Sequence, residues 1–317
     1  MLRGAGHRKC RIHDLTQLVT AALLVGVLAG CGGSAAAGSS AAAPARSLTR
    51  AKVSRIVVVV LENREYNEII GRAAAPYINS LAGQSAVATD YHAVSHPSLP
   101  NYLALTGGST FGFNGSDCMT CSVSHRNLID QLEASKISWK AYMEDMPSAC
   151  SFASSSGGYV RRHDPFMYYR DVAGNRNRCR FVVPANQLGS DLARHSLPEF
   201  VWLSPNLCHD MHSCGTYSGD SYLRSMIPRL LGQLGPSGIL FLTWDEGNTN
   251  SGCCGVAKGG HILTLIAGPG ARGGTRSATP YDNYSLLRTI EDLWRLPRLG
   301  YSACPCTHAM TYLLRVR

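Results

Sequence analysis

The sequence predicts an α/β fold, a central and mostly parallel sheet sandwiched between helices. Three observations carry this. Apolar runs such as "SRIVVVVLEN" lack polar alternation, the mark of a strand buried on both faces. These runs alternate with helical patterns along the chain. Three of them end in polar or acidic residues ("VVVVLEN", "VWLSPN", "LFLTWDEG"), at the sheet edge where ligands bind in open α/β folds.

Taken in order, "VVVVLEN" is a central strand and "APYINSLAGQSA" a helix, with "VATDYHAV" leading into "VSHPSLPNYLALTGG". There Pro97 and Pro100 fix φ and hold Ser98 on a stiff turn, with Asn101 and Tyr102 opening a helix. A rigid hydroxyl at a helix N-terminus suits anion chemistry, although alone the stretch reads equally as a loop with Asn101 as cap. "NLIDQLEASKISWKAYMED" gives a helix then a short strand, and "LPEFVWLSPN" another strand. "SYLRSMIPRLLGQL" is an amphipathic helix, "GILFLTWDEG" and "HILTLIAGPG" are strands, and "NYSLLRTIEDLWRL" is a closing helix. No internal repeat is visible.

Residues 1–30 read as a leader rather than as fold. Arg3, Arg8, Lys9 and Arg11 precede the thirteen-residue apolar run "LVTAALLVGVLAG", too short for a good membrane span. The "LAGC" that follows is the pattern of a bacterial lipoprotein signal, with cleavage before Cys31 and lipid on its sulfur. Residues 31–52 are a flexible tether, low in anything that packs. Residues 53–317 are long enough for one α/β domain with a core. The protein is expected to be exported and lipid-anchored to the outer face of the bacterial cell membrane.

Of the formal charge of +9, the leader holds a net +3, leaving about +6. The remaining basic residues are scattered ("YVRRHD", "GNRNRCR"), which argues against a nucleic-acid partner and for a surface that attracts anionic substrates or headgroups. Without Cys10 and Cys31, ten of the twelve cysteines remain, an even number that suits disulfides in an exported protein. Cys118 with Cys121, Cys208 with Cys214, and Cys304 with Cys306 are close in sequence, and Cys150 with Cys179 closes a longer loop. Cys253 and Cys254 are adjacent, an awkward geometry for a mutual bond. "CMTC" has zinc-ligand spacing but no second half-site.

Glu62, Asn63, Asp245 and Glu246 follow two buried strands and all offer oxygen. Their carboxylates would repel one another, a problem that a divalent cation removes. Oxygen donors favour Mg, Ca or Mn without excluding Zn. Read singly, Glu62–Asn63 is a loop cap, and "DEG" a turn with Gly247 at positive φ. Histidines supply the second half. His92 and His96 flank Ser98, His209 and His212 share a loop with Asp210 held by Cys208 and Cys214, and His261 opens a strand.

"LENREYNEI", "HPSLPNYLALTGG", "WLSPNLCHDMHS", "FLTWDEG" and "HILTLIAGPG", in that order, resemble the phosphoesterase family of bacterial phospholipase C enzymes and acid phosphatases, within the alkaline phosphatase superfamily. The resemblance spans roughly residues 54–300. It implies an alkaline-phosphatase-like three-layer fold with Ser98 as metal-bound nucleophile and a metal held by Glu62, Asn63, Ser98, Asp245 and Glu246. Pro205, Asn206, Asp210 and His212 match its "PN…DxH" segment. Asn114 in "FGFNGS", with Asn101, is expected to contact phosphate. "GGHIL" stands where many members have Arg, so His261 takes that place. The implied mechanism is attack by Ser98, a phosphoseryl intermediate, and proton donation by His212, with His209 and His96 as further candidates. The absence of the larger phospholipases' extra domains favours an acid-phosphatase-like enzyme acting on phosphate esters; the alternative is a phospholipase C-type phosphodiesterase.

Three other readings fit less well. A sulfatase-like esterase typically carries "CxPxR" or "SxPxR", whereas here Pro100 is followed by Asn101 and no Arg. A serine lipase needs a G-x-S-x-G elbow, which is absent; "GDSY" follows no strand, and its Asp220 or Ser221 reads as a cap. A non-catalytic ligand-binding lipoprotein would need neither the two carboxylate pairs nor a proline-framed serine.

Overall fold

A computed structural model describes residues 53–315; the leader, the tether and Cys31 lie outside the described residues. The strands are β1 (Ile56–Leu61), β2 (Ala86–Ala88), β3 (Tyr91–His92), β4 (Trp139–Met143), β5 (Ser155–Ser156), β6 (Tyr159–Val160), β7 (Val182–Pro184), β8 (Phe200–Ser204), β9 (Ile239–Trp244), β10 (Thr264–Ala267), β11 (Arg276–Ser277) and β12 (Tyr281–Asp282). Eight of them form one sheet in the order β11-β2-β10-β9-β1-β8-β4-β7. All pairings in it are parallel except those of β10, which runs against β9 and β2. The expected α/β architecture with a mostly parallel sheet is therefore present.

The helices are α1 (Tyr66–Ile69), α2 (Pro76–Gln84), α3 (Ser98–Gly107), α4 (Leu128–Ala134), α5 (Arg170–Ala173), α6 (Arg176–Cys179), α7 (Asn186–Ala193), α8 (Thr216–Leu231) and α9 (Asn283–Trp294). Side chains alternate across a strand, so a run covered on both faces has nowhere to place a polar group. Every residue of β1, "IVVVVL", is fully buried. Helix α9 starts on a reciprocal cap between Asp282 and Ser285 and buries Leu286, Leu287, Ile290 and Trp294.

Two helices take their caps from distant carboxylates. Asp220 is interior to α8, not a cap of its own helix; it accepts from Tyr77 N (3.2 Å) and Ile78 N (2.8 Å) at the start of α2. Asp117 accepts from Leu99 N (2.9 Å) at the start of α3. That helix begins at Ser98, three residues earlier than the sequence suggested, because Pro100 is tolerated within the first turn.

All four expected disulfides are present, and Cys253 also pairs with Cys254, which corrects the expectation for adjacent cysteines. No helix among the described residues is long and apolar enough to cross a membrane.

Candidate active site

Strands β9, β1 and β8 lie side by side at the centre of the sheet, and their carboxyl ends deliver the site. Leu61 is in register with Trp244, so Glu62 and Asp245 emerge next to each other. Asn63 follows with φ +49°, a left-handed conformation that Asn tolerates better than most residues. Its amide donates to Asp245 Oδ1 (3.2 Å), and its side-chain Nδ2 donates to Glu62 Oε2 (3.3 Å). Glu246 N donates to the same Asp245 Oδ1 (2.6 Å).

Helix α3 points its first residue into this cluster. Ser98 Oγ donates to Glu62 Oε2 at 2.9 Å and lies 3.3 Å from Glu246 Oε1. Tyr102, one turn further on the same face, donates its hydroxyl to Glu62 Oε1 at 2.5 Å. Glu62, Asn63, Ser98, Asp245 and Glu246, proposed together from the sequence, thus meet at one place. Gly247 has a different reason from the one expected. It is not at positive φ; an added Cβ would come within 2.3 Å of Glu65 Oε1. Glu65 ties down the loop after β9, accepting from Asn248 N, Thr249 N and Thr249 Oγ1, each at 2.9 Å, and from His261 N at 3.0 Å.

His163 and Asp210 complete the buried centre. Asp210 was placed in the "PN…DxH" segment and beside its neighbouring histidines but outside the metal-ligand set, and His163 was missed. His163 Nε2 is 3.3 Å from Glu62 Oε1 and its Nδ1 is 3.2 Å from Asp210 Oδ2, close approaches that are not aligned as hydrogen bonds. Their ligand atoms all lie within 4.8 Å of one another. Asp245 Oδ2, Asp210 Oδ2 and His163 Nε2 are buried without a hydrogen-bond partner. Buried polar atoms are normally paired, so three orphans around shared carboxylates are a donor set that fits a cation. Burial first, then the charges of Asp245 and Asp210, push the Glu62 carboxyl well above its usual range. Burial, then Glu246, does the same for Asp245, and burial raises Asp210 to about 8. Burial, reinforced by Arg162 and His212, pushes the His163 imidazole down, leaving it neutral and able to bind a metal.

The other histidines separate. His96 Nδ1 contacts Glu246 Oε2 at 2.6 Å and its Nε2 contacts the Thr249 carbonyl at 2.9 Å. The Glu246 bond, opposed by burial, raises its pKa. His212 Nε2 instead faces Arg162 at 3.2 Å, and burial and Arg162 lower its pKa. His209 pairs with Glu144 at 2.9 Å and stacks on Tyr222, while His92 pairs with Asp90 at 2.8 Å. His261, expected at phosphate, stacks on Tyr66 at 4.8 Å and directs Nε2 to the Thr89 carbonyl. Asn101, also expected there, is fully buried and uses its amide on backbone, accepting from Val94 N and Ser95 N and donating to Ser95 O. Asn114 lines a cavity together with His96. Arg162, which pairs with Asp117 (3.4 Å), is an additional cation on the His212 side.

The phosphoesterase family model matches residues 71–297. The chain belongs to the phosphoesterase family. A phosphatidylinositol-3-phosphatase of Mycobacterium tuberculosis is 31% identical over 95% of this chain and 96% of its own length. An acid phosphatase of Aspergillus fumigatus is 30% identical over 86% of this chain, which spans 61% of that protein. In fold, the chain resembles an alkaline phosphatase superfamily protein of Vibrio parahaemolyticus (TM-score 0.55, 14% identity, 83% of this chain and 70% of that one). This phosphoesterase is a phosphoric ester hydrolase, and its sheet is the alkaline-phosphatase-like one expected.

Proposed function

We propose that the protein is an exported, metal-dependent phosphomonoesterase that works through a phosphoserine at Ser98. One observation carries this reading: a serine hydroxyl at the start of α3 lies 2.9 Å from a buried Glu62, among the clustered carboxylates of Asp245 and Glu246. Glu62, Asn63, Ser98, Asp245 and Glu246 would hold a divalent metal, with His163 and Asp210 as further donors at Glu62. When bound, that ion supplies a lowered hydroxyl pKa and charge neutralisation at phosphate.

Ser98, whose hydroxyl already donates to Glu62 Oε2, hands its proton to Glu62 and attacks phosphorus. His96 stands beside the reacting centre through Glu246, with an acceptor oxygen facing each ring nitrogen and its pKa raised by the Glu246 bond. The geometry supports His96 over His212 as the acid for the leaving oxygen, because Arg162 faces the His212 nitrogen. His96 then takes a proton from the water that hydrolyses the phosphoserine, and Glu62 returns its proton to the departing Ser98 oxygen. Arg162 and His212 remain as donors to the phosphate oxygens, with Asn114 on the His96 side. The names of the Mycobacterium tuberculosis and fungal relatives favour a monoester substrate. Five disulfides among the described residues support an oxidising, exported setting, and lipid on Cys31 would anchor it.

Hydrolysis of p-nitrophenyl phosphate, its loss on chelation, and acid trapping of phosphate on the Ser98 peptide test the reading together. Steady turnover in excess chelator removes the metal; phosphate trapped on a histidine removes the serine.

A further inference from the structure

Helix α3 carries two hydroxyls one turn apart, and both end on one carboxylate. Residues four apart share a helix face, so Ser98 and Tyr102 reach Glu62 from the same side. Ser98 Oγ donates to Glu62 Oε2 at 2.9 Å, and the Tyr102 hydroxyl donates to Oε1 at 2.5 Å. Asn63 Nδ2 also donates to Oε2, at 3.3 Å, whereas His163 Nε2 approaches Oε1 without hydrogen-bond alignment. Among the described residues, the aligned bond to Oε1 therefore comes from Tyr102.

A carboxylate needs such a partner to hold one orientation. The last torsion of a Glu side chain is broad, so packing around its carbons leaves the plane of its oxygens unset. Tyr102 can set that plane because it is itself held. It is fully buried, its ring lies on His163 (centroids 5.5 Å apart, planes 9° from parallel), and it tilts against Trp202 at 6.2 Å. A phenol is an O–H donor at neutral pH, and its bond to a charged acceptor is stronger than a neutral one. Glu62 is fully buried, so water cannot take over that bond. The same helix offers a comparison. Tyr169 is also fully buried, and its hydroxyl meets Thr106 Oγ1, further along α3, at 2.9 Å. That bond ties the helix down without touching Glu62.

We propose that Tyr102 is a positioning residue for the attack by Ser98: its hydroxyl sets the plane of the Glu62 carboxylate so that Oε2 faces the nucleophile. The inference rests on the reading in which Ser98 attacks and Glu62 takes its proton. It deepens that reading by naming what orients the acceptor. Tyr102 acts through Glu62 and takes no part in the proton transfer itself.

The test uses the mature protein with p-nitrophenyl phosphate, in an excess of whichever of Mg, Ca, Mn or Zn gives the native protein its highest rate. Tyr102→Phe keeps the ring and removes the hydroxyl. It should lower both kcat and the single-turnover rate of acid-trapped phosphoserine formation by roughly 10–100-fold, and leave KM within about 2-fold of native. Tyr169→Phe should melt below the native protein, because it also loses a buried bond, and keep both rates. Dialysis against graded chelator reads the same orientation apart from activity: Tyr102→Phe should release metal at about 10-fold lower chelator, since Glu62 is one of the donors. Rates within about 2-fold of native overturn the proposal, as do native metal retention, a loss confined to KM, or an equal loss in Tyr169→Phe. Full recovery of the Tyr102→Phe rates on raising the metal concentration also overturns it, because Tyr102 would then support metal binding alone. A Tyr102→Phe protein that does not fold overturns it by making the hydroxyl a structural tie. Native protein that turns over substrate without trapping phosphate on Ser98 removes the serine reading beneath, and the native protein alone shows that result.

Discussion

Replacing Asp245 by Asn should make the metal-free protein more stable and the metal-loaded protein less so. Asp245 is fully buried; its Oδ1 accepts from the amides of Asn63 and Glu246, and its Oδ2 has no partner. Asparagine keeps the first oxygen and both of its bonds. It places an NH2 where the orphaned oxygen stood, next to carboxylates that can accept. An unpaired buried acceptor costs about 1–3 kcal/mol, so removing it together with one repelling charge should stabilise the metal-free fold by about 2 kcal/mol. For a domain of this size that corresponds to a rise of roughly 4–8 °C in Tm. The native protein, in contrast, should gain about 4 kcal/mol when metal is present at about 1,000 times its Kd, and the variant little. The order of the two melting curves should therefore reverse between chelator and saturating metal.

The effect carries a pH signature. Glu62 and Asp245 are raised in the fold, and Asp210 is raised to about 8. A raised carboxyl stabilises the fold most when it is protonated, below its unfolded value, and that stability is lost as pH rises through the folded value. Metal-free native protein should therefore gain stability from about pH 8 down to about pH 5, and the advantage of Asp245→Asn should shrink over the same range. Circular dichroism melts in chelator and in each candidate metal at both pH values provide the data. A variant that melts below the native protein in chelator would show that the carboxylate is a structural acceptor. Equal gains from metal in both proteins would remove Asp245 from the ligand set.

Ser98→Ala should lower kcat by roughly 10³–10⁵-fold and abolish the acid-trapped phosphopeptide, while metal content measured by elemental analysis stays within reach of the native value. His163→Gln should weaken metal retention about 10–100-fold on dialysis against graded chelator, as expected of a residue that binds or orients at the metal; unchanged retention would assign it to packing. His96→Gln should remove the alkaline limb of the kcat profile, because the acid must keep its proton and activity falls as pH rises through a His96 value held above the ordinary one by Glu246; His212→Gln should leave that limb in place. Glu65→Ala should lower stability by about 2–4 kcal/mol in urea melts, since four donors lose a buried acceptor, and Glu65→Gln should recover part of it.

The centre of the sheet was legible because its strands carry an unambiguous signal. Fully buried strands must be apolar throughout, and the first polar residues after them sit at the carboxyl edge. That rule found Glu62, Asn63, Asp245 and Glu246. Applied to "WKAYMED", it would also have found Glu144, which follows β4. In the sheet β8 separates β4 from β1, so Glu144 meets His209 and Asn206 N rather than Ser98. Strand order, which the one-dimensional pattern does not contain, decides which strand ends share a site. His163 left no such trace. It stands in a 3-10 turn after two short strands, in "YVRRHDPF", beside Glu62 and Asp210 and stacked on Tyr102 with ring centroids 5.5 Å apart. The histidines flanking the serine were visible but not separable by spacing. His96 and His92 are four residues apart, yet Glu246 draws one to the reacting centre and Asp90 holds the other away. A carboxylate partner thus sets which imidazole keeps a proton near Ser98. Those partners sit 150 residues away in one case and two in the other. The chemistry of this site is accordingly written in long-range pairs, and the strand ends supply only the half of each pair that local sequence can show.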